Sequence, residues 1–136
     1  MPLSFDSISV GDALPSLVKT PGREQLVKYA AGSGDFNPLH YDADFAQAKV
    51  IGDNIVHGRM KYAALGQLVS DWAGHAAVVR SISCQYRGMD LQGKTFTVKG
   101  VVTGIDVANR TVDVDVWTED ESGKNTTPGR ATLAFR

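Results

Sequence analysis

GRMKYAALGQLVSDWAG, residues 58–74, is the stretch on which the fold turns. Met60, Ala64, Leu68 and Trp72 recur every four residues, and Ala63, Leu65, Val69 and Ala73 widen the apolar surface to most of the circumference. A helix this apolar is buried on most sides. Ala63, Ala64 and Gly66 are small enough for a sheet to pack closely on it. Beyond residue 76 the hydrophobic period changes from helical to two. VVRSISCQYRG (78–88) reads as one strand. In KTFTVKGVVTGIDV (94–107), Phe96, Val98, Gly100 and Val102 share a face; in TVDVDVWTED (111–120), Val112, Val114 and Val116 oppose Asp113 and Asp115. RATLAFR (130–136) alternates through Ala131, Leu133 and Phe135. Such alternation predicts an antiparallel sheet with one wet and one dry face, turning near Ala108–Asn109 and Ser122–Gly123. Helices first and strands after predict an α+β domain, its sheet curled around the helix at 58–73.

Upstream, TPGREQLVKYAAGSG (20–34) reads as a helix capped by Thr20, with Pro21 in its first turn and Gly32 or Gly34 at its end. Leu26, Val27, Ala30 and Ala31 form its apolar stripe, and Glu24 and Lys28 an exposed i,i+4 pair. DADFAQAKV (42–50) predicts a further short helix. Between the two lies GDFNPLH, residues 34–40, which sets Asp35, Asn37 and His40 on backbone broken by Gly34 and Pro38. Irregular backbone on a rigid scaffold is where chemistry often sits.

The chain has 136 residues and suits one domain, 1–136, with a real core. Lys plus Arg is 14 and Asp plus Glu 15, with no basic block, which argues against a nucleic-acid partner. No apolar run approaches the ~20 residues of a membrane span. The N-terminal MPLSFDSISVGD does not resemble a secretory signal. The lone Cys84, with no internal partner for a disulfide, reads as a small core residue. Together these features favour a cytoplasmic protein.

YAAGSGDFNPLHYDADFA (29–46) resembles the signature of the MaoC-like dehydratases, or R-specific enoyl-thioester hydratases: Tyr29, Gly34, Asp35, Asn37, Pro38, Leu39, His40 and Ala46 fall at the family's positions. IVHG (55–58) follows at the expected distance, and ISVGDALP (8–15) and YRGMDLQGKTF (86–96) also resemble family segments. The resemblance implies a hot-dog fold, Asp35 and His40 as catalytic residues and Gly58 as the group that binds the thioester carbonyl. It also implies dimers, homomeric or with a related chain, and reversible hydration of trans-2-enoyl thioesters of CoA or acyl carrier protein without a cofactor. Two positions depart from the pattern. Arg59 stands where the family often has Met, and Ala63 where some members have Ser.

The residue types suit that chemistry. Neutral imidazole is matched to proton transfer near pH 7, and a nearby carboxylate can hold the same water and stabilise imidazolium. The kink at Pro38 can turn Asp35 and His40 toward one water, and the Asn37 amide can tie the loop or contact substrate. The unpaired N–H groups at a helix start suit a developing enolate, which points to Gly58; Tyr62 and Ala63, about one turn further on, are placed to border the acyl chain. His57 is expected to pack or to bond the loop. A metal held by Asp35, His40 and His57 is chemically possible, but the spacing matches no zinc or iron pattern, so no metal is expected. Arg59, Lys61, Arg80, Arg87 and Lys94 could meet the phosphates of a CoA or phosphopantetheine carrier, but each alone reads as a solvated surface cation. Two other functions compete. A hot-dog thioesterase would want a carboxylate on the long helix, yet 58–70 carries no Asp or Glu and Asp71 comes only near its end. A supporting subunit of a heterodimeric dehydratase would not need an intact Asp35, Asn37 and His40.

Overall fold

The computed structural model describes residues 2–49 and 52–136. Five antiparallel strands form one sheet: β1 (Leu17–Lys19), β2 (Ala77–Cys84), β3 (Phe96–Asp106), β4 (Thr111–Glu119) and β5 (Gly129–Phe135), in the order β1-β3-β4-β5-β2. Three α-helices, α1 (Arg23–Ser33), α2 (Ala43–Ala48) and α3 (Gly58–Ala73), precede the last four strands. The sheet curls over α3, which touches β2, β3 and β4. This is the hot-dog architecture expected from the sequence.

Period-two alternation drives the packing. Phe96, Val98 and Val102 of β3, Val112, Val114 and Val116 of β4, and Ala131 and Leu133 of β5 all point inward and are buried. They meet Leu65, Leu68 and Val69 of α3, which are fully buried. Each such leucine contributes about 1.5–3 kcal/mol of hydrophobic stabilisation. The sheet covers one side of α3 only, so Arg59, Ala63, Gln67, Ser70 and Asp71 stay exposed and the helix is less enclosed than its composition suggests. Glycines of the sheet contribute to the close approach, and of the small helix residues Ala64 is buried in the core while Gly66 is not in close contact. A Cβ on Gly100 would sit 3.1 Å from Leu68 Cδ2, whereas one on Gly66 would meet nothing within 4 Å.

Other boundaries shift for local reasons. α1 starts at Arg23, later than expected, with Gly22 rather than Thr20 at its N-cap and no side-chain cap; the Thr20 hydroxyl meets Thr95 Oγ1 at 2.9 Å instead. Of its expected stripe, Leu26 and Ala30 are buried and Val27 and Ala31 exposed. Glu24 and Lys28 do pair on the surface, 2.7 Å apart. α2 is shorter than expected, and Val50 lies outside the described residues. β2 ends at Cys84 rather than continuing to residue 88; Arg87 and Gly88 both donate their N–H groups to the Thr126 carbonyl and carry the chain across the N-terminal end of α3. Cys84 is half-buried against the core, where burial pushes its thiol pKa up. β1, a three-residue edge strand, has no clear sequence signal. No helix among the described residues is long and apolar enough to cross a membrane.

Candidate active site

Gly34 ends α1 in the left-handed region, at φ 77°, which a Cβ would strain. The chain then makes a series of side-chain-capped turns. Ser33 Oγ accepts from the Asp35 N–H (3.2 Å), Asp35 Oδ1 from the Asn37 N–H (3.3 Å), and Asn37 Oδ1 from the Leu39 N–H (3.1 Å). Asn37 thereby caps a single 3₁₀ turn, Pro38–His40, with Pro38 at its start. That turn aims His40 inward, where it is buried.

His40 Nδ1 lies 2.8 Å from the Ile55 carbonyl. A carbonyl only accepts, so Nδ1 carries a proton, and in the neutral ring Nε2 presents the lone pair. Nε2 is 3.5 Å from Asp35 Oδ2. The facing segment is pinned to the turn, since the Ile55 N–H and Asn54 Nδ2 both donate to the Leu39 carbonyl at 3.1 Å.

His57 backs this pair. It is fully buried, with its ring stacked on His40 at 3.8 Å between centroids and an interplanar angle of 19°. Its Nε2–H donates to the Asp35 carbonyl at 3.2 Å, and Tyr29 packs at 4.8 Å. Burial, and then the neighbouring His40, push its pKa below the usual histidine value, so it stays neutral. Packing and a loop hydrogen bond are both what the sequence leads one to expect of it.

One ligand atom each from Asp35, His40 and His57 fall within 4.8 Å of one another. The stacking does not suit an ion, however. Imidazole donates in its own plane, and two nearly parallel rings cannot both aim in-plane lone pairs at a point between them.

Gly58 is the first residue of α3. The first backbone bonds back to His57 come from the Met60 and Lys61 N–H groups, so Gly58 has no intrahelical acceptor. Gly58 and His40 line one cleft of about 360 Å³, together with Val56, Lys61, Tyr86 and Met89. The Tyr86 ring lies 3.1 Å from where a Cβ on Gly58 would be, so any larger residue there would press on that ring. Tyr62 and Ala63 diverge. The Tyr62 hydroxyl donates to the Ile82 carbonyl at 2.6 Å, and Ala63 borders a second cleft of about 190 Å³ with Tyr29, Met60 and Phe96. A larger trough of about 770 Å³, between Cys84, Trp117 and Arg130, touches none of the candidate residues.

One expectation is overturned outright. Lys61 is not a surface cation; it is 2% exposed and paired with the buried Asp90 at 3.0 Å. Its spacing three residues after Gly58, on the same helix face, was the available signal, but its acidic partner lies 29 residues away in a loop.

A family model described as MaoC like domain matches residues 8–124. The beta subunit of 3-oxo-4,17-pregnadiene-20-carboxyl-CoA hydratase from Mycobacterium tuberculosis is 30% identical over 105 residues, 77% of this chain and 81% of that one. An (R)-specific enoyl-CoA hydratase from Rhodospirillum rubrum is 28% identical over 102 residues, 74% and 70% of the two chains. Fatty acid synthase subunit beta of Saccharomyces cerevisiae is 27% identical over 95 residues; the match spans 68% of this chain and only 5% of that relative. Among solved structures, an (R)-hydratase from A. caviae superposes with a TM-score of 0.89 at 24% identity, covering 96% of this chain and 98% of the other, a likeness of fold. A chain of the ChsH1–ChsH2 complex from Mycobacterium tuberculosis gives 0.85 at 26% identity, covering 94% and 98%. The family model spans most of the sheet and the whole Asp35–Gly58 region, and this chain belongs to the MaoC-like family.

Proposed function

We propose that this protein is an R-specific hydro-lyase that interconverts trans-2-enoyl and R-3-hydroxyacyl thioesters, of CoA or acyl carrier protein. One observation carries the reading: two acceptors, His40 Nε2 and Asp35 Oδ2, stand 3.5 Å apart beside the cleft that holds the start of α3. At that spacing a single water can donate one hydrogen bond to each, which directs its oxygen lone pair outward. In hydration this oxygen bonds to C3 as His40 takes a water proton, and Asp35 stabilises the imidazolium. The electron pair of the C2–C3 double bond moves toward the thioester carbonyl, where the Gly58 N–H meets the enolate oxygen. Collapse of the enolate takes a proton back at C2 and restores neutral His40. Dehydration is the same path reversed. Asn37 serves by holding the turn, its Oδ1 accepting from the Leu39 N–H.

A thioester hydrolase is less well supported. The one acidic residue of α3, Asp71, is exposed near its C-terminal end, away from the Gly58 cleft.

The protein is further proposed to work as a dimer, with itself or with a related chain. Among the described residues the sheet edges, β1 and β2, pair with no further strand, and Phe36, Tyr86 and Met89 expose large apolar side chains around the site. Light scattering should give the mass of two chains at micromolar concentration; a fully active single chain would rule pairing out. Activity itself is tested by following loss of the conjugated enoyl absorbance of crotonyl-CoA, with chiral chromatography of the product. R-3-hydroxybutyryl-CoA is expected. Release of free CoA thiol without hydration would instead favour the hydrolase.

A further inference from the structure

A charged pair is buried directly under the wall of the Gly58 cleft, and the reaction above does not use it. Lys61 Nζ donates to the Gly88 carbonyl at 2.9 Å and to Asp90 Oδ2 at 3.0 Å. Asp90 Oδ2 also accepts from Thr126 Oγ1 at 2.6 Å, and the Thr126 hydroxyl in turn meets Thr118 Oγ1 at 2.8 Å. All four side chains are buried. Burying an ion pair carries a desolvation cost that often cancels its Coulombic gain, so stability alone is a poor reason to keep one.

Its placement suggests another. Gly58 and Lys61 sit three residues apart on one face of α3 and line the same cleft. The opposite wall, residues 86–89, carries Tyr86 over Gly58 and leaves 57% of Met89 exposed. On the sheet side this wall hangs from the Thr126 carbonyl through the Arg87 and Gly88 N–H groups. On the helix side, the Lys61 ammonium reaches it at Gly88 and Asp90.

We propose that the Lys61–Asp90 pair is a positioning device: it fixes the 86–89 wall relative to the N–H of Gly58 and so sets the width of the cleft that receives the thioester. Lys61 does not touch the reacting atoms; it acts through the backbone of Gly88. The role of the cleft rests on the proposed hydratase reading, so the test includes an arm that needs no substrate.

Two variants separate positioning from stability. Lys61→Met leaves Asp90 buried without its cation, and should lower the melting temperature. Lys61→Met with Asp90→Asn removes both charges, keeps an acceptor for Thr126, and should recover much of that loss. If the pair positions the wall, the double variant still raises KM for crotonyl-CoA about 10-fold while kcat falls less than about threefold, the signature of lost binding rather than lost chemistry. Hydrogen exchange at the Arg87 and Gly88 amides should accelerate in the double variant while the middle of α3 stays protected. A folded double variant with wild-type KM overturns the proposal. If the wild type hydrates no enoyl thioester, the hydratase reading fails by itself, and the exchange rates decide: unchanged protection at Arg87 and Gly88 overturns the positioning role, and faster exchange supports it.

Discussion

The rings of His40 and His57 lie face to face, 3.8 Å apart, and only one of them has a free lone pair directed at a carboxylate. His40 is the ring proposed to take and return the water proton. His57, with Nε2–H on the Asp35 carbonyl, is held neutral by burial and by His40. The His57 ring is the floor on which the His40 ring rests, and its bond to the Asp35 backbone ties both halves of the pair together.

That neutrality makes stability pH-dependent. The folded-state pKa of His57 lies below the usual histidine value of about 6.5, so below about pH 6.5 the unfolded chain takes up a proton that the folded chain refuses. Its contribution is therefore full above pH 6.5 and is lost as pH falls toward the folded pKa. A His57→Phe variant lacks this loss. The melting-temperature advantage of wild type over His57→Phe should shrink between pH 7.5 and pH 5.5; an advantage that widens on acidification would show that His57 protonates readily in the fold.

Asp35 and His40 are expected to act as one unit on one water. Asp35→Asn, His40→Gln and the double variant should lose similar amounts of kcat, at least ~100-fold each, rather than multiply. Near-wild-type hydration by folded His40→Gln, or S product from wild type, would falsify the mechanism.

Tyr62 and Ala63 should separate in their effects. Ala63 borders the cleft with Tyr29 and Met60, so Ala63→Leu should fill it and shift preference toward shorter enoyl thioesters. The Tyr62 hydroxyl bonds the Ile82 carbonyl, and Tyr62→Phe should cost about 0.5–1.5 kcal/mol in urea unfolding. An unchanged chain-length profile in Ala63→Leu removes that residue from the acyl site, and a chain-length shift in Tyr62→Phe would bring Tyr62 into it.

Gly129 is where β5 starts beside β2, and a Cβ there would run into the Ser83 carbonyl and approach Leu65. The obstacle on one side is backbone and cannot rotate away. Gly129→Ala should destabilise by about 1–3 kcal/mol. The same change at Gly66, where nothing lies within 4 Å, should be neutral or slightly stabilising because alanine favours the helix.

Period and local chemistry are written along the chain, and they sufficed for much of this protein. Alternation in 94–107, 111–120 and 130–136 placed three strands and their inward faces, because which side of a strand is dry depends only on parity. Gly34, Asn37 and Pro38 act on neighbours a few residues away, so the kinked turn bearing Asp35 and His40 was readable too. What depended on partners distant in sequence was not. Lys61 looks like any helix-surface lysine until the fold brings Asp90 and the Gly88 carbonyl to it. The Thr20 hydroxyl pairs with Thr95, 75 residues away, and Gly100 of β3 leaves the room that Leu68 of α3 fills. A side chain's own identity states what it can donate, accept or bury; the partner that decides which of these it does is supplied by tertiary structure.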